Sequence, residues 1–200
     1  MLFISEMPIE ARDKLLYASL ILFTREGYKN TSVLDIVEMA RVSKTTFYQH
    51  FSSKEGLMAN LLDVISTEII EEVKQEIEKE SRVAYKAYVG IHRYIEICFT
   101  DIRVANLMLV ESVGVSQEVE KVRTEAHLRF AELMFKTVQG LLQNTVSDVE
   151  MQIVSHAMIG AINEVIVQNY HEVENKEVNF EELARLLNRI VIGAFVNLTN

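Results

Sequence analysis

Between Leu57 and Ile77 an apolar side chain recurs at every fourth position, as Leu57, Leu61, Ile65, Ile69, Val73 and Ile77. A spacing of four puts each on the turn above the last along an α-helix, as a slowly winding apolar stripe. The series also runs far longer than an ordinary strand, so it predicts one long, uninterrupted helix. The rest of the chain agrees. Proline occurs once, at Pro8, and glycine seven times in 200 residues. All-β chains need frequent turn residues, and so few breakers point to long helices joined by short loops. The expected fold class is all-α.

The chain is long enough for one ordinary domain, or for a module of about 50 residues fused to a larger one. Its 49% hydrophobic content excludes a disordered chain. One cysteine, Cys98, excludes an internal disulfide and a thiolate zinc site, and a reducing cytoplasm is expected. The amino terminus does not read as a signal peptide. The apolar run Ile190 to Val196 is too short to span a membrane, which takes about 20 residues.

Charge is uneven. The total is −9, but residues 1–60 hold seven Lys/Arg and seven Asp/Glu. Within them, the stretch from Arg41 to Lys54 carries Arg41, Lys44, His50 and Lys54 and no acidic residue. Screening limits charge effects to about 8–10 Å, so a local cationic stretch matters more to a polyanion than the sum does.

Punctuation of the first sixty residues predicts three short helices before the long one. Ala11, Leu15, Ala18 and Leu22 share a helical face, and Gly27 follows as a stop. Ser32 precedes Val33, Ile36, Val37 and Ala40, with Asp35 in capping-box register. After Arg41-Val42-Ser43, Ser43 can cap a third stretch in which Phe47 and Phe51 fall at i and i+4 and should pack inward. Lys44, Thr45, Tyr48 and Gln49 then point mostly outward, with Tyr48 as a core aromatic the alternative. Ser52 and Glu55 stand in capping-box register ahead of the long helix. Two short helices joined by a three-residue turn and braced on both sides form a helix-turn-helix. The second helix of such a unit fits the major groove of B-DNA, where lysine, hydroxyl and amide groups suit phosphate and base contacts.

The stretch from Thr31 to Leu57 resembles the signature of the tetracycline-repressor (TetR) family of bacterial transcription regulators. The resemblance rests on Val42-Ser43, Phe47-Tyr48, His50-Phe51, Lys54-Glu55 and Leu57. It covers roughly residues 10–60. It implies a DNA-binding helix-turn-helix domain over 1–55, fused through a shared long helix to a helical-bundle effector and dimerisation domain over 56–200. It implies that Ser32 caps the first helix of the motif and touches a phosphate. Lys44, Thr45, Thr46 and Gln49 would face the groove, Tyr48 and His50 the sugar-phosphate backbone, and Lys54 a phosphate. Arg41 stands where the family commonly has glycine; it must take a costly positive φ or a different turn, and it could add a phosphate contact.

Beyond Lys79, helical segments are expected over 82–100, 103–112, 117–143, 147–171 and 179–198. The last carries Leu183, Leu186, Leu187, Ile190, Val191, Ala194, Phe195 and Leu198 on one stripe. Ala157, Gly160 and Ala161 form a small-residue patch before it. Homodimerisation through 147–171 and 179–198 is expected, the alternative being that both helices pack within their own chain. A twofold protein would set two reading helices about 34–36 Å apart on a palindromic operator of double-stranded DNA. The apolar middle segments, broken by a few polar groups, suggest a small-molecule site. The candidates are His92, Tyr94, Phe99, Met108, Glu111, His127, Phe130 and Asn163, for a hydrophobic or acyl-like effector; an ordinary helical core fits the same residues.

No Gly-rich phosphate loop, Gly-x-Ser-x-Gly elbow or Glu-x-x-His pair occurs, and His50, His92, His127, His156 and His171 lack metal-ligand spacing. No enzyme activity, metal or cofactor is expected. The expectation is a one-component transcription regulator, a repressor released from DNA by a small effector. A helical adaptor or scaffold without DNA binding is the alternative; it accounts for the acidic surface but not for the acid-free stretch.

Overall fold

The computed structural model describes residues 6–139, 147–170 and 179–199. No strand occurs among them. The helices are α1 (Ala11–Glu26), α2 (Val33–Ala40), α3 (Lys44–His50), α4 (Lys54–Lys79), α5 (Val83–Thr100), α6 (Ile102–Asn106), α7 (Gln117–Gln139), α8 (Asp148–Tyr170) and α9 (Phe180–Val196). A π-helical turn, Leu107–Glu111, follows α6, and a 3₁₀ turn, Asn197–Thr199, follows α9. The expected segment 103–112 is therefore not one α-helix. Residues 140–143, the break at 144–146, His171 and residues 174–178 lie outside the described residues.

Packing divides the chain into two compact units, Met1–Glu68 with Asp101–Glu125, and Ile69–Thr100 with Ala126–Asn200. This is a different partition from a division at 55/56. The start of α4 and the segment 101–125 pack with the amino-terminal helices, and α4 and α7 each run through both units.

In the first unit, Leu15, Leu16, Phe23, Ile36, Phe47, Leu57, Met58, Leu61 and Ile65 are fully buried. α1 packs on α2, α3, α6 and the π turn. The chain leaves α1 at Gly27, whose φ of +85° only glycine adopts readily. The long-helix cap differs from expectation. The Gly56 N–H donates to Ser53 Oγ at 3.0 Å, so Ser53 rather than Ser52 is the capping hydroxyl. Glu55 is turned to another partner, Tyr28, whose hydroxyl donates to it at 2.9 Å.

In the second unit, the continuing apolar face of α4 (Ile69, Val73, Ile77) is buried, and α5 packs on α8 and α9. Gly90 lets α5 lie close to α4: a Cβ there would come within 2.8 Å of the Ile77 side chain. Phe99 stacks on Phe180 with ring centroids 5.6 Å apart. The α9 stripe divides in two. Leu187, Val191 and Phe195 turn inward with Ala184, whereas Leu186 and Ile190 are 47% and 49% exposed. On α8, Val149 and Ile153 are 64% and 62% exposed, and Ala157, Gly160 and Ala161 are exposed as well.

Candidate nucleic-acid interface and effector cavity

The helix-turn-helix is fixed by local chemistry at each joint. Ser32 Oγ accepts the Asp35 N–H at 3.2 Å, and the Ser32 N–H returns to Asp35 Oδ2 at 2.7 Å, closing the expected capping box. The Ser32 hydroxyl also donates to Asp35 Oδ2 at 2.6 Å. These bonds hold the Asp35 carboxyl below its ordinary pKa. α2 ends with the Arg41 N–H on Glu38 O at 3.1 Å and the Val42 N–H on Val37 O at 3.0 Å, the Schellman pattern. That pattern needs a left-handed residue, and Arg41 supplies it with φ 54° and ψ 46°. Of the two outcomes open to this turn, the chain takes the positive φ. Ser43 Oγ then accepts the Thr46 N–H at 3.0 Å and starts α3.

Phe47 and Phe51 are 0% and 3% exposed, with ring centroids 5.9 Å apart. They bury one face of α3 and leave the other to solvent. Arg41, Lys44, Thr45, Tyr48, Gln49 and His50 are all exposed. Tyr48, at 59% exposure, is not a core residue; its ring meets Phe47 edge-on at 5.1 Å. Thr46 is half-buried, and its hydroxyl lies 2.9 Å from that of Ser43.

Lys54 is placed differently from the rest. Its ammonium donates to the carbonyls of Tyr28 and Thr31 at 2.8 and 2.7 Å and lies 4.1 Å from the centroid of the Tyr28 ring. Burial lowers its pKa, and nearby Glu55 and Asp35 oppose that shift. Two of its three donors thus strap the α1–α2 loop. Burial, and then Glu55, pushes the Tyr28 phenol well up. No local sequence signal announces this cluster, because its members lie 26 and 27 residues apart.

The second unit holds a cavity of about 50 Å³, lined by Val73 and Ile77 of α4, Ala87, Gly90, Ile91 and Tyr94 of α5, Phe130, Leu133, Met134, Thr137 and Val138 of α7, Ile159 and Ile162 of α8, and Val191 of α9. Its two hydroxyls are spent on the protein: Tyr94 donates to Asn163 Oδ1 at 2.8 Å and Thr137 to Leu133 O at 2.7 Å. The lining is therefore apolar. Burial pushes the Tyr94 phenol well up and the Cys98 thiol up to about 12.

Of the eight candidate effector residues, Tyr94 and Phe130 line this cavity, and Asn163 holds Tyr94. His92, beside Tyr88, and Phe99, on Phe180, do not line it. His127 stacks on His156 at 5.4 Å, and its pKa is lowered by burial and then by His156. Met108 and Glu111 sit in the π turn of the other unit and are not part of the cavity. The lining residues absent from the candidate set, such as Val73, Gly90, Ile159 and Val191, carry no polar mark that sequence reasoning could have used.

Among the described residues, no group of three or more His, Cys, Asp or Glu could hold a metal ion, and no helix is long and apolar enough to cross a membrane.

A capped α2-turn-α3 unit whose α3 carries an exposed, acid-free face defines a helix-turn-helix protein of the DNA-binding class. The sequence profile of bacterial regulatory proteins of the tetR family matches residues 15–61. The chain is 24% identical to the HTH-type transcriptional regulator YhgD of Bacillus subtilis over 142 residues, 71% of this chain and 70% of YhgD. It is 34% identical to the HTH-type transcriptional regulator QacR of Staphylococcus aureus over 65 residues, which is 32% of this chain and 35% of QacR. Its fold is similar to that of the fatty acid degradation regulator FadR of Bacillus halodurans, with a TM-score of 0.79 at 14% identity, covering 94% of this chain and 97% of that one. It is also similar to FadR of Bacillus subtilis in complex with stearoyl-CoA, with a TM-score of 0.76 at 16% identity, covering 90% and 97%. Residues 15–61 thus match the tetR family of bacterial regulatory proteins, and the relatives that the chain matches are helix-turn-helix transcriptional regulators.

The left-handed Arg41 generates a test. A side chain at such a φ costs about 1–2 kcal/mol, and glycine returns part of the gain as unfolded-state entropy. Arg41→Gly is expected to leave thermal stability unchanged or raise it by up to about 1 kcal/mol in calorimetry. A clear fall in stability would contradict the strained turn.

Proposed function

We propose that the protein is a homodimeric, one-component repressor that grips a palindromic operator through α3 and leaves it when a long apolar effector enters the cavity of the second unit. The observation that carries this reading is the exposed, acid-free face of α3 standing on two buried phenyl rings. In this reading residues 1–55 hold the DNA and residues 56–200 hold the effector and the partner protomer, in the cytoplasm. Lys44, Thr45 and Gln49 reach into the major groove, while Arg41, Tyr48 and His50 meet the backbone. Thr46 and Ser32, whose hydroxyls are engaged in caps, serve first to shape the unit.

The effector class follows from the cavity. It offers no free polar group, which suits an alkyl or acyl chain, and a structurally similar FadR is bound to stearoyl-CoA. At about 50 Å³ the cavity is far too small for such a chain as it stands. Entry must spread its walls, so the effector favours a widened state over the closed one. A ligand moves an equilibrium only by such differential affinity. The walls include α4 and α7, which both continue into the unit that holds α3. Widening thereby shifts the reading helices out of register with DNA.

The partner surface is the exposed apolar and small-residue face of α8 (Val149, Ile153, Ala157, Gly160) with Leu186 and Ile190 of α9. A Cβ added at Gly160 or Gly193 would meet nothing within 4 Å, which leaves room for a second backbone. Large exposed apolar patches mark interaction sites.

Two experiments test the reading. A duplex recovered by selection from a random library should bind the protein, and Lys44→Ala should cost about 1–3 kcal/mol on it and relax specificity at the base pair that Lys44 reads. Stearoyl-CoA should release the wild-type protein from that duplex, and Leu133→Trp, which fills the cavity, should blunt the release. Recovery of no duplex would refute the DNA-binding reading, and indifference to a panel of acyl chains would refute the effector class. In sedimentation at micromolar concentration the protein should be a dimer, and Leu186→Asp with Ile190→Asp should give a monomer that binds DNA at least about tenfold more weakly. A monomeric wild type would refute the interface.

A further inference from the structure

The segment 101–125 follows the second unit's α5 in sequence yet packs with the amino-terminal helices. One of its charged groups bonds their backbone directly. Glu111 Oε2 accepts the N–H of Tyr28 at 3.0 Å. It also lies 3.6 Å from where a Cβ on Gly27 would be. This carboxylate therefore holds the start of the loop that carries Ser32, the cap of α2, and whose later carbonyls are held by Lys54.

Glu111 is the last residue of the π turn. In an α-helix the Ser112 N–H would bond the carbonyl four residues back, on Met108. Here it bonds Leu107 O at 3.2 Å, five residues back. The Met108 carbonyl thus loses its backbone partner. It is satisfied instead by Arg123 of α7 at 2.8 Å and by the Ser112 hydroxyl at 2.9 Å, and Arg123 also donates to that hydroxyl at 2.5 Å. Arg123 is thus the group that makes the π register affordable. If it withdraws, Met108 O keeps the Ser112 hydroxyl alone and loses its charged donor, and the return of the Ser112 N–H to it becomes the favoured register. That change rotates the residues after α6 by about 100° and takes the Glu111 carboxylate off Tyr28. π turns inserted in helices are frequent at functional sites.

We propose that Glu111 is a positioning residue for DNA binding: with the π turn, it latches the α1–α2 loop, and Arg123 holds the latch closed. This rests on the repressor reading above and adds its regulation. Arg123 sits on the same helix as Phe130, Leu133 and Met134 of the cavity wall. A displacement of α7 by an effector withdraws Arg123, opens the latch and frees α2 and α3 from the position that fits DNA.

The test uses the full-length protein. Glu111→Ala should speed amide exchange at Tyr28 and in the peptide 27–34 by at least about tenfold and leave α5 and α9 protected. On the selected duplex the same variant should bind about tenfold more weakly, a typical coupling, with an unchanged salt slope, because no phosphate contact is lost. Glu111→Gln keeps an acceptor oxygen for the Tyr28 N–H and should stay near wild type. Arg123→Ala should reproduce Glu111→Ala, and the double variant should be no weaker than either alone, since the two act on one latch. Unchanged exchange at Tyr28, wild-type affinity in Glu111→Ala, or additive losses in the double variant would each overturn the proposal. Failure to recover any duplex would instead sink the repressor reading, and the exchange measurement would still judge the latch.

Discussion

A helix of seven residues has no stability of its own in water, because nucleation costs more than so few hydrogen bonds return. α3 exists because Phe47 and Phe51 bury one of its faces, against a floor that includes α1 and α2. Each buried phenyl contributes about 1.5–3 kcal/mol. That burial also decides the orientation of everything else on α3. With the rings inward, Lys44, Thr45, Tyr48 and Gln49 have nowhere to go but out. The two serine caps and the left-handed Arg41 then set where the helix starts and at what angle it leaves α2.

Much of this head is legible in the residues because its determinants are local. Ser32 with Asp35, Ser43 ahead of Thr46, and the i, i+4 phenyl pair each announce themselves within four positions. The structure departs from expectation where a partner comes from far along the chain. Glu55 leaves its expected box with Ser52 for the hydroxyl of Tyr28, and Lys54 turns toward the carbonyls of Tyr28 and Thr31. Glu111, expected near an effector, bonds an N–H 83 residues away. A carboxylate in an apolar stretch reads the same whether it meets a ligand or a backbone amide. The α9 stripe shows a second limit: periodicity finds an apolar face but does not tell how much of it the chain itself covers. Leu187 and Val191 go to the core, while their neighbours Leu186 and Ile190 stay in solvent.

The second unit differs in kind. Its cavity has no polar signature, so composition alone cannot separate it from a filled core. What marks it is geometry: five helices line it without filling it, and its two hydroxyls are bonded to the protein rather than left for a ligand. The net negative charge of the molecule lies outside the first sixty residues. In a repressor that distribution keeps DNA on the head and off the rest of the surface, because like charge repels the phosphate backbone at short range.

The central claim is that α3 enters the major groove, twice per operator. Hydroxyl-radical footprinting with methylation interference on a selected duplex tests it most directly. The account predicts two protected clusters centred about 34–36 Å apart or a multiple of that, each with interference at guanine N7 in the major groove. A single protected cluster, or interference confined to the minor groove, would contradict it.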